Sequence, residues 1–106
     1  MPAPARTWGG DMARVIHRGS MLQVVCPCGH EHHLNLDPGK HPCWSWNEDL
    51  HRPTVTPSIN AAILAADGVT VRRRCHSYIM GGRVQFLADC THALAGQTLD
   101  LPEVAA

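Results

Sequence analysis

The sequence predicts a mainly β domain, a small α+β unit in which a compact antiparallel sheet of short strands carries a zinc knuckle and one short helical turn. Three observations predict it. Short apolar and β-branched runs recur along the chain, bounded by Gly, Pro and Asp turn signals. Gly81-Gly82 separates two such runs, and a two-glycine loop tolerates the positive φ of a tight hairpin. Five Cys and eight His in 106 residues supply an unusual density of metal-ligating side chains.

Residues 1–11 are rich in Pro, Ala and Gly and read as a flexible arm. Residues 12–102 form a single zinc-binding domain, and 103–106 a short tail. Met12–His17 alternates weakly before the Arg18-Gly19-Ser20 turn. Met21–Val25 is a strand, and Cys26–His33 a polar knuckle. His33–Leu36 returns to the Asp37-Pro38-Gly39 turn. Cys43–Trp46 alternates, placing Trp44 and Trp46 on one face. Pro53 and Pro57 make 47–58 loop or sheet edge. Ile59–Ala65 reads equally as a buried strand or a helical turn. Ala66-Asp67-Gly68 is a turn. Val69–Met80 is the longest strand, and Arg83–Ala88 returns from the hairpin. Thr91–Ala95 is the helical turn, with Thr91 or Asp89 as N-cap and Gly96 after its end. Thr98–Leu101 is the last strand.

Nine basic and nine acidic residues cancel, which argues against a general nucleic-acid or anionic-membrane binder. No apolar run approaches the ~20 residues of a membrane span. The first residues lack a signal peptide's apolar centre. A cytoplasmic protein with reduced thiols is expected, and an odd number of cysteines points to metal before disulfides.

The hairpin register brings the thiols together. Met80 pairs with Arg83, Ile79 with Val84, Ser77 with Phe86 and Cys75 with Ala88. Cys75 and Cys90 then meet at the open end, within about 5 to 8 Å. Cys26-Pro27-Cys28-Gly29-His30 can aim both sulfurs one way, with Gly29 allowing a sharp turn and amides pointing at the thiolates. Four thiolates, Cys26, Cys28, Cys75 and Cys90, make a closed Zn²⁺ site. His30, His76 and His92 are alternative ligands, and His32 and His33 crowd the same knuckle, where any one of the three histidines could supply a ligand or serve as a polar surface or capping residue. Cys43 reads as a core residue beside Trp44, or as a substitute for Cys26. His76 faces the opposite side of the sheet from Cys75. If the chain is an enzyme, Asp89, His92 and His76, with Ser77 nearby, furnish the polar groups of an open metal site. The zinc-protease and zinc-deaminase signatures are absent. Arg72-Arg73-Arg74 reads as a solvated edge, with phosphate contact as its alternative.

Cys28-Gly29-His30, Trp44-Ser45-Trp46, Pro53-Thr54-Val55-Thr56-Pro57-Ser58, Cys75-His76-Ser77-Tyr78-Ile79 and the run 82–98 resemble a family of small phage and prophage proteins often named "ammonia monooxygenase". The resemblance spans roughly residues 22–102. That name is not taken as function, because the chain has no span for a bilayer. The resemblance implies a phage-derived, zinc-binding accessory protein. Related sequences carry C-P-x-C at Cys26-Pro27-Cys28, which favours Cys28 over Cys26 as ligand, and they lack Cys43. More distantly, the chain resembles a domain found beside bacterial ubiquitin-like conjugation genes. The resulting expectation is a module with structural zinc that binds a protein partner, with His76, Asp89 and His92 as contacts. A zinc-dependent hydrolase and a nucleic-acid-binding zinc module are the alternatives, and oligomeric state stays open.

Overall fold

A computed structural model describes residues 12–105. The arm expected at 1–11 lies outside the described residues. Ten strands and no helix are found among the described residues: β1 (Met12–Ala13), β2 (Ile16–Arg18), β3 (Met21–Val25), β4 (Glu31–Asn35), β5 (Ser45–Trp46), β6 (Val55–Leu64), β7 (Val71–Met80), β8 (Arg83–Phe86), β9 (Thr98–Asp100) and β10 (Val104–Ala105). They form a three-stranded sheet β2-β3-β4, a five-stranded sheet β5-β6-β7-β8-β9 and the pair β1-β10. Every pairing is antiparallel.

Alternation decides which side of each strand is buried. Leu22 and Val24 of β3 oppose Leu34 and His32 of β4, and these four side chains are buried while their sequence neighbours are not. The long β6–β7 ribbon turns through Asp67, whose Oδ1 accepts the N–H groups of Val69 and Thr70 at 2.9 Å each. Such a side chain stands in for a backbone turn partner. The two-glycine hairpin follows, with Met80↔Arg83, Ile79↔Val84 and Ser77↔Phe86 paired as its spacing dictates. Gly82 has φ 84°, and a Cβ there would lie 3.1 Å from the His51 carbonyl oxygen. Both the dihedral and the close approach therefore require glycine.

The two larger sheets share one apolar core. Val15, Leu22, Val24 and Leu34 meet Val55, Ile59, Ile79, Val84, Phe86 and Leu101. Burying these side chains supplies the main driving force for folding.

The expected helical turn at 91–95 is absent. Residues 91–96 instead form bends and turns, with Ala95 N–H donating to the His92 carbonyl at 3.2 Å. The backbone is tied sideways: Thr91 N–H donates to Arg74 O at 3.0 Å, and Gly96 N–H to Phe86 O at 3.1 Å. So short a segment cannot offset the cost of helix nucleation once its backbone groups have partners in the sheet. Val104–Ala105, within the stretch read as a tail, pairs with Met12–Ala13.

Candidate active site and metal centre

β7 carries two neighbouring sites on its opposite faces. Cys75 points into the core and is 1% exposed. There it joins Cys26, Cys28 and His32, and the ligand atoms of these four residues lie within 4.8 Å of one another. The Cys26 and Cys75 sulfurs are 4.0 Å apart. That is close to the edge, about 3.8 Å, of a tetrahedron of sulfurs around a metal at 2.3 Å. His32 Nε2 is buried without a hydrogen-bond partner. A buried polar atom without a partner is costly unless something such as a metal satisfies it. The donor set therefore fits a metal ion.

Local sequence builds this centre. After β3, the knuckle closes through Cys26 N–H to His30 O and Gly29 N–H to Cys26 O, both 3.0 Å. Gly29 takes φ 97°, a conformation that favours glycine. His32 enters the core because Val24 opposes it across the ladder. Arg73 Nη2 donates to Cys28 O at 2.6 Å, tying the knuckle to β7. The hydrogen bond from Cys75 drives the Cys26 thiol down to about 4, and the same contact pushes Cys75 up. Burial, above all, raises Cys28. One thiolate among close thiols is the charge pattern a cation would complete.

The opposite face carries different chemistry. His76 follows Cys75 and so points away from the core. Its Nε2 lies 3.2 Å from Ser58 Oγ, and its Nδ1 lies 3.1 and 3.0 Å from Asp89 Oδ1 and Oδ2. Ser58 comes from β6, where Asn60 is directly opposite His76, so Ser58 sits diagonally across on the same face. Asp89 comes from the segment after β8, and its carboxyl is held below the usual carboxylate range chiefly by the His76 ring. A hydroxyl, an imidazole and a carboxylate linked in that order are an arrangement that can serve as nucleophile, general base and the group that orients the base.

The remaining sequence candidates fall elsewhere. Cys90 is outside the cluster that contains Cys75. Its sulfur accepts the His76 N–H at 3.2 Å and donates to the His76 carbonyl at 3.1 Å. The hairpin register runs on through Leu87, whose N–H bonds His76 O, and then breaks in a turn closed by Cys90 N–H to Leu87 O at 3.2 Å, which brings the Cys90 thiol onto the His76 backbone instead of alongside Cys75. His92 stacks edge-on against Phe86 at 4.8 Å, and its Nδ1 accepts the Leu94 N–H. His30 contributes its backbone to the knuckle. Ser77 is fully buried on the core face, away from His76. Cys43 is half-buried, with its thiol 3.6 Å from the Trp44 carbonyl. Arg74 Nη1 donates to Asn60 Oδ1 at 2.6 Å, so two of the three consecutive arginines hold protein groups.

Sequence reasoning missed Ser58 and named His32 only as one of three knuckle histidines that could supply a ligand, outside the favoured set of four thiols. The signal for Ser58 was the β6–β7 pairing, which a register shift between Ile63 and Leu64 hides from simple counting. The signal for His32 was its parity with Leu34 on a half-buried strand.

The fold and site define a small all-strand protein with a serine–histidine–aspartate arrangement backed by a cluster able to hold a metal. The chain belongs to the family described as bacterial ubiquitination-like system serine protease (BubE), whose model matches residues 4–87. That match includes Ser58 and His76 and stops short of Asp89. No curated protein and no solved structure matches the chain. No helix among the described residues is long and apolar enough to cross a membrane.

Proposed function

We propose that this chain is a serine hydrolase of a bacterial ubiquitination-like system, cleaving acyl bonds of a protein substrate with Ser58, His76 and Asp89. The observation that carries the reading is the Ser58–His76–Asp89 chain of contacts at 3.0–3.2 Å. The family's description as a serine protease supports it. Ser58 Oγ attacks the substrate carbonyl carbon while His76 Nε2 takes the hydroxyl proton. The resulting tetrahedral adduct collapses, and His76 gives that proton to the departing amine or alcohol, leaving an acyl ester on Ser58. Water then attacks the ester, with His76 again removing and returning a proton, and frees the acid and Ser58. Asp89 stays ionised throughout, fixing the imidazole tautomer and stabilising the imidazolium.

The metal belongs to the scaffold in this reading, and zinc is the ion that fits three thiols and an imidazole best. Bound by Cys26, Cys28, His32 and Cys75, it would neutralise the thiolates and join the two sheets beneath His76. Four protein ligands complete a tetrahedron and leave no position for water. This favours a structural ion over the zinc-dependent hydrolase expected as an alternative.

Ester and peptide hydrolysis by the wild type and two variants tests the reading. S58A is expected to lower kcat by on the order of 10⁴- to 10⁶-fold, and D89N by about 10⁴-fold. Full turnover by S58A would overturn the assignment.

A further inference from the structure

Beyond Thr56, no described strand lies on the outer side of β6. β5 pairs only with Val55 and Thr56, while β7 occupies the other side from Ile59 to Leu64. Hydrogen bonds on β7 fix which β6 groups face outward. His76 gives its N–H to Cys90 Sγ, and its carbonyl accepts the Leu87 N–H. Arg74 bonds Thr91 through both its N–H and its carbonyl. Both residues thus turn their backbone groups away from β6. Their partners Asn60 and Ala62 stand in the non-hydrogen-bonded pairs of the ladder, so their own N–H and C=O point to the open edge. No described residue hydrogen-bonds these groups. Ser58 is two residues earlier, and its carbonyl accepts the Trp44 indole N–H at 3.3 Å, closing the row at the β5 end.

Edge strands are commonly blunted by charge or proline. Asn60-Ala61-Ala62-Ile63-Leu64 has neither. Ile63 and Leu64 are each 46% exposed at the far end of the row. Among the described residues, a free backbone edge therefore runs from Ser58 to two exposed apolar side chains, one on each face of the strand.

We propose that an extended segment of the protein substrate adds to the Asn60–Ala62 edge of β6 as a further strand, with apolar side chains against Ile63 and Leu64, and that this pairing delivers its acyl carbon to Ser58. The proposal rests on the serine hydrolase reading. Main-chain pairing of this kind gives affinity without demanding a particular sequence, while side-chain contacts add preference.

The test compares wild type with A62P, which removes one outward N–H and leaves the β7 side of the ladder intact. Two probes are used: an internally quenched mixed-sequence octapeptide pool and p-nitrophenyl acetate, which is too small to pair with the edge. The ratio of peptide to ester kcat/KM is expected to fall about five- to tenfold in A62P, mainly through KM, as one net hydrogen bond is lost. An unchanged ratio overturns the edge proposal while leaving the hydrolase reading standing. Wild-type protein inert toward both probes overturns the hydrolase reading and this proposal with it. Should A62P misfold, wild type is assayed on the same pool with alternate amides N-methylated. Selective loss of turnover supports the proposal, and equal turnover overturns it. A wild-type dimer in native mass spectrometry that A62P abolishes would put a second copy on the edge and overturn substrate pairing.

Discussion

His76 serves the hydroxyl face of the sheet because Cys75, one residue earlier, serves the core face. Successive strand residues point in opposite directions, so moving one of them disturbs the frame of the other. Cys90 reinforces this residue from the side by holding both its backbone groups. The ligand set makes a sharp distinction between Cys90 and His32. H32A is expected to lose most of the bound metal, whereas C90S keeps it, as measured by inductively coupled plasma mass spectrometry on purified protein. Equal metal content in the two variants would contradict the Cys26–Cys28–His32–Cys75 set. At this scale the sequence is only partly readable. Cys26, Cys28 and Cys75 stand out by residue type, because thiols are scarce and few other roles suit them. His32 and Ser58 do not, since histidine and serine are ordinary surface residues until a cross-strand neighbour gives them a direction.

The β6–β7 ribbon is the element that joins the parts, and its turn depends on Asp67. That carboxyl accepts from Val69, Thr70 and the Thr70 hydroxyl, the last at 2.6 Å, and the hydroxyl bond leads in lowering it to about 2. A carboxyl whose folded value is depressed stabilises the fold above its ordinary value near 3.8 and loses that effect as pH falls through the folded value. D67A is therefore expected to melt below wild type at pH 7, with the gap closing as pH drops from about 4 to about 2. A gap independent of pH in thermal melts would contradict the turn's account. The hairpin and β3 could be placed from pattern alone because turn glycines and β-branched runs act locally. The bends at 91–96 could not, because the partners that displace a helix there, Arg74 and Phe86, are distant in sequence.

Across the whole molecule, the Cys26–Cys28–His32–Cys75 cluster, which could hold a metal ion, bridges the two larger sheets. Cys26 and His32 flank the knuckle of the three-stranded sheet, and Cys75 belongs to the five-stranded one. An ion bound only by the folded state stabilises it by mass action, about 4 kcal/mol when free metal is a thousandfold above its Kd. Chelation should lower Tm markedly, and restored zinc should return it. A Tm indifferent to chelator in a metal-loaded sample would contradict the bridge. Phe86 is fully buried where the two sheets meet, and F86A should cost about 3–5 kcal/mol in denaturant unfolding, the usual range for losing a core aromatic.

Hydrolysis through Ser58 requires an activated hydroxyl, and covalent trapping tests that most directly. A fluorophosphonate forms a bond from phosphorus to a serine oxygen and expels fluoride only where a base withdraws the hydroxyl proton. Peptide mapping by mass spectrometry after labelling should find a single adduct, on Ser58, abolished by H76A and by prior denaturation. An unlabelled chain, or an adduct spread over other serines with Ser58 untouched, would contradict the account.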